Sequence, residues 1–285
     1  MNTQQMYALS LNQIANAIAT VGHKRTILVQ GHMGNGKSSL LWMLAEMFPD
    51  HVPVMFDCTT KDLGDISIPS LNTDEGFVTY LPNEEFGIHY GKKLLINIDE
   101  LGKANPAVKN ALNITMLEHK VGTKKLPEGS IVFATTNLSA EGVGDLLPPH
   151  TRNRITIVTA RKSTSEEFIE WGINNEVDHS VLGFVREFPQ VLQGFEDVKD
   201  PRDNPYIFHP KEQRAHFITP RSLEAASDIL KLRDMYDDHT LTALLMGTIG
   251  DRGAMDMMAF VKLADQLPSL ESIKTDPMNA KVPDS

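Results

Sequence analysis

Gly31-His32-Met33-Gly34-Asn35-Gly36-Lys37-Ser38 fits the pattern G-x-x-x-x-G-K-[ST], and its flanks decide how it is read. Upstream, Thr26-Ile27-Leu28-Val29-Gln30 is a short apolar run of the kind that forms a buried strand. Downstream, Leu40, Leu41, Leu44 and Met47 recur at helical spacing through Phe48. The octet therefore joins a strand to a helix, the context in which such a loop binds phosphate. Glycines let backbone N–H groups turn inward around anionic oxygens, and the positive end of the new helix adds attraction. All eight residues, with Ser39 behind them, are candidates for contact with a nucleotide. Lys37 would neutralise the β- and γ-phosphates of ATP, and the Ser38 hydroxyl would ligate Mg2+.

The composition sets the bounds on this reading. A chain of 285 residues can bury one large core or two modest ones. With 41% hydrophobic and 22% charged residues it resembles an ordinary soluble protein, and no apolar run is long enough for a membrane span. The segment Met1-Asn2-Thr3-Gln4-Gln5 lacks the basic and apolar pattern of a signal peptide, so a cytosolic location is expected. The single cysteine, Cys58, has no partner for an internal disulfide and is expected to pack in the core. The net charge of −10 disfavours a generic nucleic-acid surface, and the scattered histidines show no transition-metal spacing.

Along the chain, residues 7–20 read as an amphipathic helix, and Val52 to Asp57 as a second strand. Residues 60–92 form a turn-rich excursion in which Phe77-Val78-Thr79-Tyr80 suits a hairpin arm. Leu94-Leu95-Ile96-Asn97-Ile98 is the near-continuous apolar run of a strand covered on both faces. A helix over 106–117, a loop or hairpin over 119–129, and strands over 130–136 and 155–158 complete a βα alternation. That alternation predicts an α/β fold with a doubly wound parallel sheet. Beyond residue 163 only helices are expected, over 165–174, 178–188, 221–236, 240–249 and 253–266, with a Pro-rich loop over 201–210. The chain is accordingly divided into residues 1–161, residues 162–267 and a tail over 268–285 of low apolar content.

Four further features carry chemistry. Asp99-Glu100 closes the third core strand; Asp99 would hold the Mg2+ shell through water and Glu100 would polarise an attacking water. Asn137, at the end of the fourth, can hydrogen-bond that water and the γ-phosphate, or serve as an ordinary turn asparagine. Arg152 and Arg154 precede the fifth strand, where an arginine can reach a neighbouring subunit's nucleotide or remain a solvated surface group. In Thr219-Pro220-Arg221, Thr and Pro suit a helix start, whereas a cation in the first turn opposes the dipole, so a nearby phosphate would account for Arg221.

In order and spacing these five features resemble Walker A, Walker B, sensor 1, arginine finger and sensor 2 of the AAA+ ATPases. Asp62-Leu63-Gly64, Ile98 to Ala104, Ala134-Thr135-Thr136-Asn137 and Thr219-Pro220-Arg221 resemble the MoxR branch, over about residues 10 to 265. The resemblance implies an αβα P-loop domain followed by a small helical lid, a hexameric homo-oligomeric ring, and ATP with Mg2+ bound between subunits. It also implies that residues 60–92 and 118–129 are pore-facing inserts. A protein client, or a partner with a von Willebrand factor A domain, would be the target of remodelling. Arg154 is preferred as the finger, with Arg152 as the alternative. Lys120, Lys124 and Lys125 leave open a nucleic-acid loader, and a scaffold with little turnover is the non-enzymatic alternative. Asn97, two residues before Asp99 on the same strand face, is expected to be a hydrogen-bonded support. Met246, Met255, Met257 and Met258 are expected to pack the lid core.

Overall fold

The computed structural model describes residues 7–138, 147 and 149–264. They fall into two compact units, the first ending at Lys162 and the second beginning at Ser163.

The first unit is built on β1 (Ile27–Gly31), β2 (Val52–Asp57), β5 (Leu94–Asp99), β8 (Ile131–Asn137) and β9 (Thr156–Ala160). All are parallel, in the order β2-β5-β8-β1-β9. The interior strands β5 and β8 are buried almost throughout, which explains their largely apolar sequences. On one face lie α1 (Leu11–Val21) and α2 (Leu40–Met47), whose Ile14, Ile18, Leu40, Leu41 and Leu44 pack with Leu95 and Phe133. On the other, Val108, Leu112 and Met116 of α3 (Pro106–Glu118) meet Ile96, Ile98, Val132 and Ala134. Each such fully buried aliphatic side chain contributes about 1.5–3 kcal/mol. Met47 departs from the expected stripe and is exposed.

Helix α1 begins at Leu11, not at residue 7, because the sheet claims the residues before it. Leu9 N–H donates to the Thr159 carbonyl and Arg161 N–H donates to Leu9, extending the pairing beyond β9. Ser10 then caps the helix in a reciprocal box with Gln13.

Both excursions are antiparallel ribbons: β3 (Ser67–Asn72) with β4 (Phe77–Pro82), and β6 (Lys120–Val121) with β7 (Lys124–Lys125). They touch where Thr123 N–H donates to the Tyr80 carbonyl at 3.1 Å. Gly122, at φ 56°, permits the approach, since a Cβ there would lie 2.5 Å from that carbonyl oxygen. A short helix, α4 (Pro149–Arg152), leads into β9.

The second unit contains α5 (Ser165–Asn174), α6 (His179–Glu187), α7 (Pro220–Leu230) and α8 (Asp238–Ala264), the last broken at Gly250. Helix α7 stops at Leu230 instead of continuing to 236. The chain turns through Arg233–Met235, which leaves Asp237 free to accept from Thr240 N–H at the start of α8. The two helices expected over 240–249 and 253–266 are the halves of α8, and residues 265–266 lie outside the described residues. Met257 and Met258 are buried and Met246 packs against them, whereas Met255 is exposed. The tail over 268–285 lies outside the described residues.

Candidate active site

The site assembles at the carboxyl ends of three adjacent strands. Because β8 lies between β1 and β5, Asn137 is set opposite Gly31 and beside the Asp99-Glu100 pair, although these residues are far apart in sequence. Such a crevice beyond the strand ends is where open α/β sheets bind ligands.

The phosphate loop takes its shape from Gly34 and Gly36, at φ 68° and 75°, left-handed values that favour glycine. Lys37, only 7% exposed, donates to the carbonyls of Gly31 at 2.9 Å and His32 at 2.7 Å and to Asn137 Oδ1 at 2.9 Å. The Ser38 hydroxyl donates to Asp99 Oδ2 at 2.9 Å, and Thr135 Oγ1 donates to the other Asp99 oxygen. Ser39 turns its hydroxyl back to the Gly36 carbonyl at 2.6 Å. Met33 is partly buried, and His32 lies in the loop's interior at 7% exposure.

Glu100 has φ 53°, unusual for a residue with a side chain and a local cost of about 1–3 kcal/mol that its surroundings must hold. Its carboxylate accepts from Asn137 Nδ2 at 3.3 and 3.4 Å and pairs with Lys103 at 3.2 Å. Asn137, 4% exposed, thus links the loop lysine to Glu100 through its two amide atoms. Thr135 and the side-chain role of Asn35 were not foreseen. Asn35 is 1% exposed and its amide donates to the Arg161 carbonyl at 2.8 Å, fastening the loop to the end of β9. A threonine within an apolar strand was the available signal for Thr135; nothing local distinguishes Asn35 from a nucleotide-facing loop residue.

The remaining candidates stand on other elements. Arg152 ends α4 and Arg154 precedes β9, so both stand at the amino end of a parallel strand whose carboxyl end borders the loop. Five residues of strand separate the two ends by about 16 Å. Arg221 is exposed in the first turn of α7, capped by Thr219 with Pro220 at the first position, in the second unit. Asn97 is fully buried and only half satisfied: Nδ2 donates to Met55 Sδ at 3.3 Å, while Oδ1 has no partner among the described residues. The expected support is therefore a weak one. Lys120 pairs with Glu118, and Lys124 and Lys125 are exposed. Among the described residues, no group of three His, Cys, Asp or Glu could hold a metal, and no helix is long and apolar enough to cross a membrane.

The first unit is thus an αβα P-loop core with a parallel sheet, and a helical unit follows it. No protein-family model and no curated protein matches the chain. Among solved structures it is similar to the RuvB Holliday junction branch migration motor of Thermotoga maritima, at 14% identity and TM-score 0.43 over 89% of this chain and 69% of that one. A putative ATPase from Cytophaga hutchinsonii gives 14% identity and 0.41 over 85% and 82%. NtrX from Brucella abortus, in complex with ATP, gives 17% and 0.48 over 86% and 54%.

Proposed function

We propose that this chain is an AAA+ ATPase of the MoxR type, which hydrolyses ATP in a head-to-tail ring in the cytosol and remodels a protein partner. The observation that carries this reading is the linked set Lys37, Asn137 and Glu100 beside the Ser38–Asp99 pair, at the mouth of a glycine loop. These residues suit a magnesium nucleotide. A hydroxyl and a carboxylate 2.9 Å apart supply the hard oxygen donors that Mg2+ takes, and Lys37 is held in the loop by the Gly31 and His32 carbonyls and Asn137 Oδ1. When bound, Mg2+ would neutralise phosphate charge and orient the leaving group.

The chain's own groups then have separable tasks. Backbone N–H groups of the loop and Lys37 bind the phosphates. Glu100 accepts a proton from the attacking water while the Asn137 amide holds that water in line. Thr135 fixes the rotamer of Asp99 through its hydroxyl. The position of Arg152 and Arg154 at the amino end of β9 supports a role for them at a neighbouring subunit's nucleotide and not at their own.

Steady-state hydrolysis measured against protein concentration tests this reading. Specific activity should rise as subunits assemble and should vanish in Lys37→Ala. Activity independent of concentration, or retained without Lys37, overturns it. Affinity capture with Glu100→Gln and ATP would then identify the protein client, including any von Willebrand factor A partner.

A further inference from the structure

The loop between α6 and α7 is wound around one side chain. Arg214 donates to the carbonyls of Pro201 at 2.6 Å, Asn204 at 2.9 Å and Ile207 at 2.5 Å, and pairs with Glu212 at 2.8 Å. Ile218 N–H closes the loop on the Tyr206 carbonyl at 2.7 Å, and the Asn204 amide fastens it to the Gln190 carbonyl at 2.7 Å. Residues 201–218 are thereby held in one shape, and the charge of Arg214 is met inside the loop by Glu212.

That shape leaves a cavity of about 520 Å3, within the range of about 300–1,000 Å3 usual for ligand sites. Phe208 and Phe217, whose ring centroids stand 5.4 Å apart, line it together with Pro210, His209 and the Arg214–Glu212 pair. His209 is 4% exposed, its ring set edge-on to Phe195 at 6.2 Å. Nδ1 accepts from Lys211 N–H at 3.2 Å, so the neutral ring carries its proton on Nε2. That Nε2–H has no acceptor among the described residues. It is not one of the unpartnered atoms sealed within the protein, so it opens on the cavity that the ring lines. A donor held so deep without an acceptor is unfavourable, and a ligand oxygen would relieve it.

The lining selects a chemical class. Its only full charges are Arg214 and Glu212, which cancel each other, so neither an anion nor a cation is favoured. Two phenyl rings and a proline suit an aromatic or branched apolar group, and one N–H donor suits a neutral carbonyl. A polypeptide offers both at once, a backbone carbonyl beside an apolar side chain.

We propose that this cavity is a docking site for a short apolar segment of a protein partner. The segment lays a phenylalanine or leucine side chain against Phe208 and Phe217, and one of its backbone carbonyls accepts from His209 Nε2. The site lies wholly within the second unit and is independent of the nucleotide chemistry assigned to the first. Because Arg214 already holds the loop in shape, little ordering is needed on binding.

Peptide titration of the full chain, isotope-labelled at its histidine ring nitrogens, tests this. The peptides are acetyl-Gly-Phe-Gly-amide and its Leu, Lys and Asp versions; benzamide stands for a free small amide of the same chemistry. The His209 signal, assigned by its loss in His209→Gln, should shift saturably with the Phe and Leu peptides. Their Kd should be about 1 mM or tighter, well within reach of a ligand of about twenty heavy atoms. The Lys and Asp peptides and benzamide should bind at least about tenfold more weakly. By calorimetry, His209→Leu should weaken the Phe peptide about tenfold by removing the donor, and His209→Gln, which keeps an N–H donor, should recover part of the loss. Ala215→Trp, at an exposed lining position, should fill the cavity and abolish binding while leaving Tm and ATP binding unchanged. Thermal unfolding shows whether each variant is folded, and Ala215→Trp carries the test if His209→Leu is not.

The proposal is overturned if the Phe and Leu peptides give no saturable shift, if the Lys and Asp peptides bind equally well, or if either folded variant binds as the native chain does. Benzamide binding as tightly as the peptides also overturns it, in favour of a small-amide site. So does weakened ATP binding in Ala215→Trp, which would make the cavity part of the nucleotide site. If the peptides bind as expected but the native chain hydrolyses no ATP, the catalytic reading fails while the docking site stands.

Discussion

Asn137→Ala separates the stabilising and catalytic roles of one buried amide. In the native chain the amide gives Lys37 an acceptor at 2.9 Å and donates to Glu100 at 3.3 Å, with 4% of the residue exposed. A hydrogen bond to a charged group is worth about 1.5–3 kcal/mol, but Lys37 keeps two carbonyls, so a loss of about 1–2 kcal/mol is expected. For a unit of this size each kcal/mol corresponds to about 2–4 °C, which gives a fall in Tm of about 2–8 °C. Turnover should fall further, by about 100- to 1000-fold, the usual consequence of removing one positioned donor. Asn137→Asp sharpens the test, because a carboxylate still accepts from Lys37 but cannot donate, and it places like charge against Glu100. Its Tm should remain near native while kcat stays low. Calorimetry and a coupled phosphate-release assay read the two effects. An Asn137→Asp chain that hydrolyses ATP at the native rate would refute the role given to the amide donor.

Glu100→Gln should keep ATP binding while slowing single-turnover hydrolysis about 100-fold or more. Alanine at both Arg152 and Arg154 should cost about 1000-fold in kcat and leave ATP affinity unchanged, since neither reaches its own subunit's loop; full activity in the double variant excludes a finger from this segment. Burial, with Asp57, Asp99 and Glu100 nearby, pushes the Cys58 thiol up to about 12 from the ordinary 9.0. The folded thiol should therefore resist alkylation at pH 8 and react only on unfolding. Because the folded value is raised, the neutral thiol's contribution to stability is complete below about pH 9 and is lost as pH climbs toward 12. Gly250, at φ 81° and ψ 164°, occupies a region essentially reserved for glycine, and a Cβ there would lie 2.7 Å from the His216 carbonyl oxygen. Gly250→Ala should destabilise the second unit by at least about 1–3 kcal/mol in denaturant titrations.

Local sequence carried much of the secondary structure. Apolar runs at Leu94–Ile98 and Ile131–Phe133 marked interior strands, because a strand covered on both faces leaves no polar alternation to read. Thr219-Pro220 marked the start of α7 for an equally local reason, a hydroxyl cap before a residue that needs no N–H. Errors arose where distant pairing overrode periodicity. Helix α1 lost its first turn to the hydrogen bonds between Leu9 and β9, and α7 gave up its last residues to the cap of α8. Asn97 looked like a support because its strand face was legible and its neighbours across the sheet were not.

The glycines, Lys37, Ser38 and the Asp99-Glu100 pair were determined by sequence, since a phosphate loop and a strand-end carboxylate pair are short-range patterns. What only the tertiary structure decided is the strand order β2-β5-β8-β1-β9. Inserting β8 between β1 and β5 brings Asn137 against both Lys37 and Glu100, and the parallel direction of β9 sends Arg152 and Arg154 to the opposite rim. Crossover connections and the burial of both sheet faces set that order, and neither leaves a mark on the spacing of neighbouring residues.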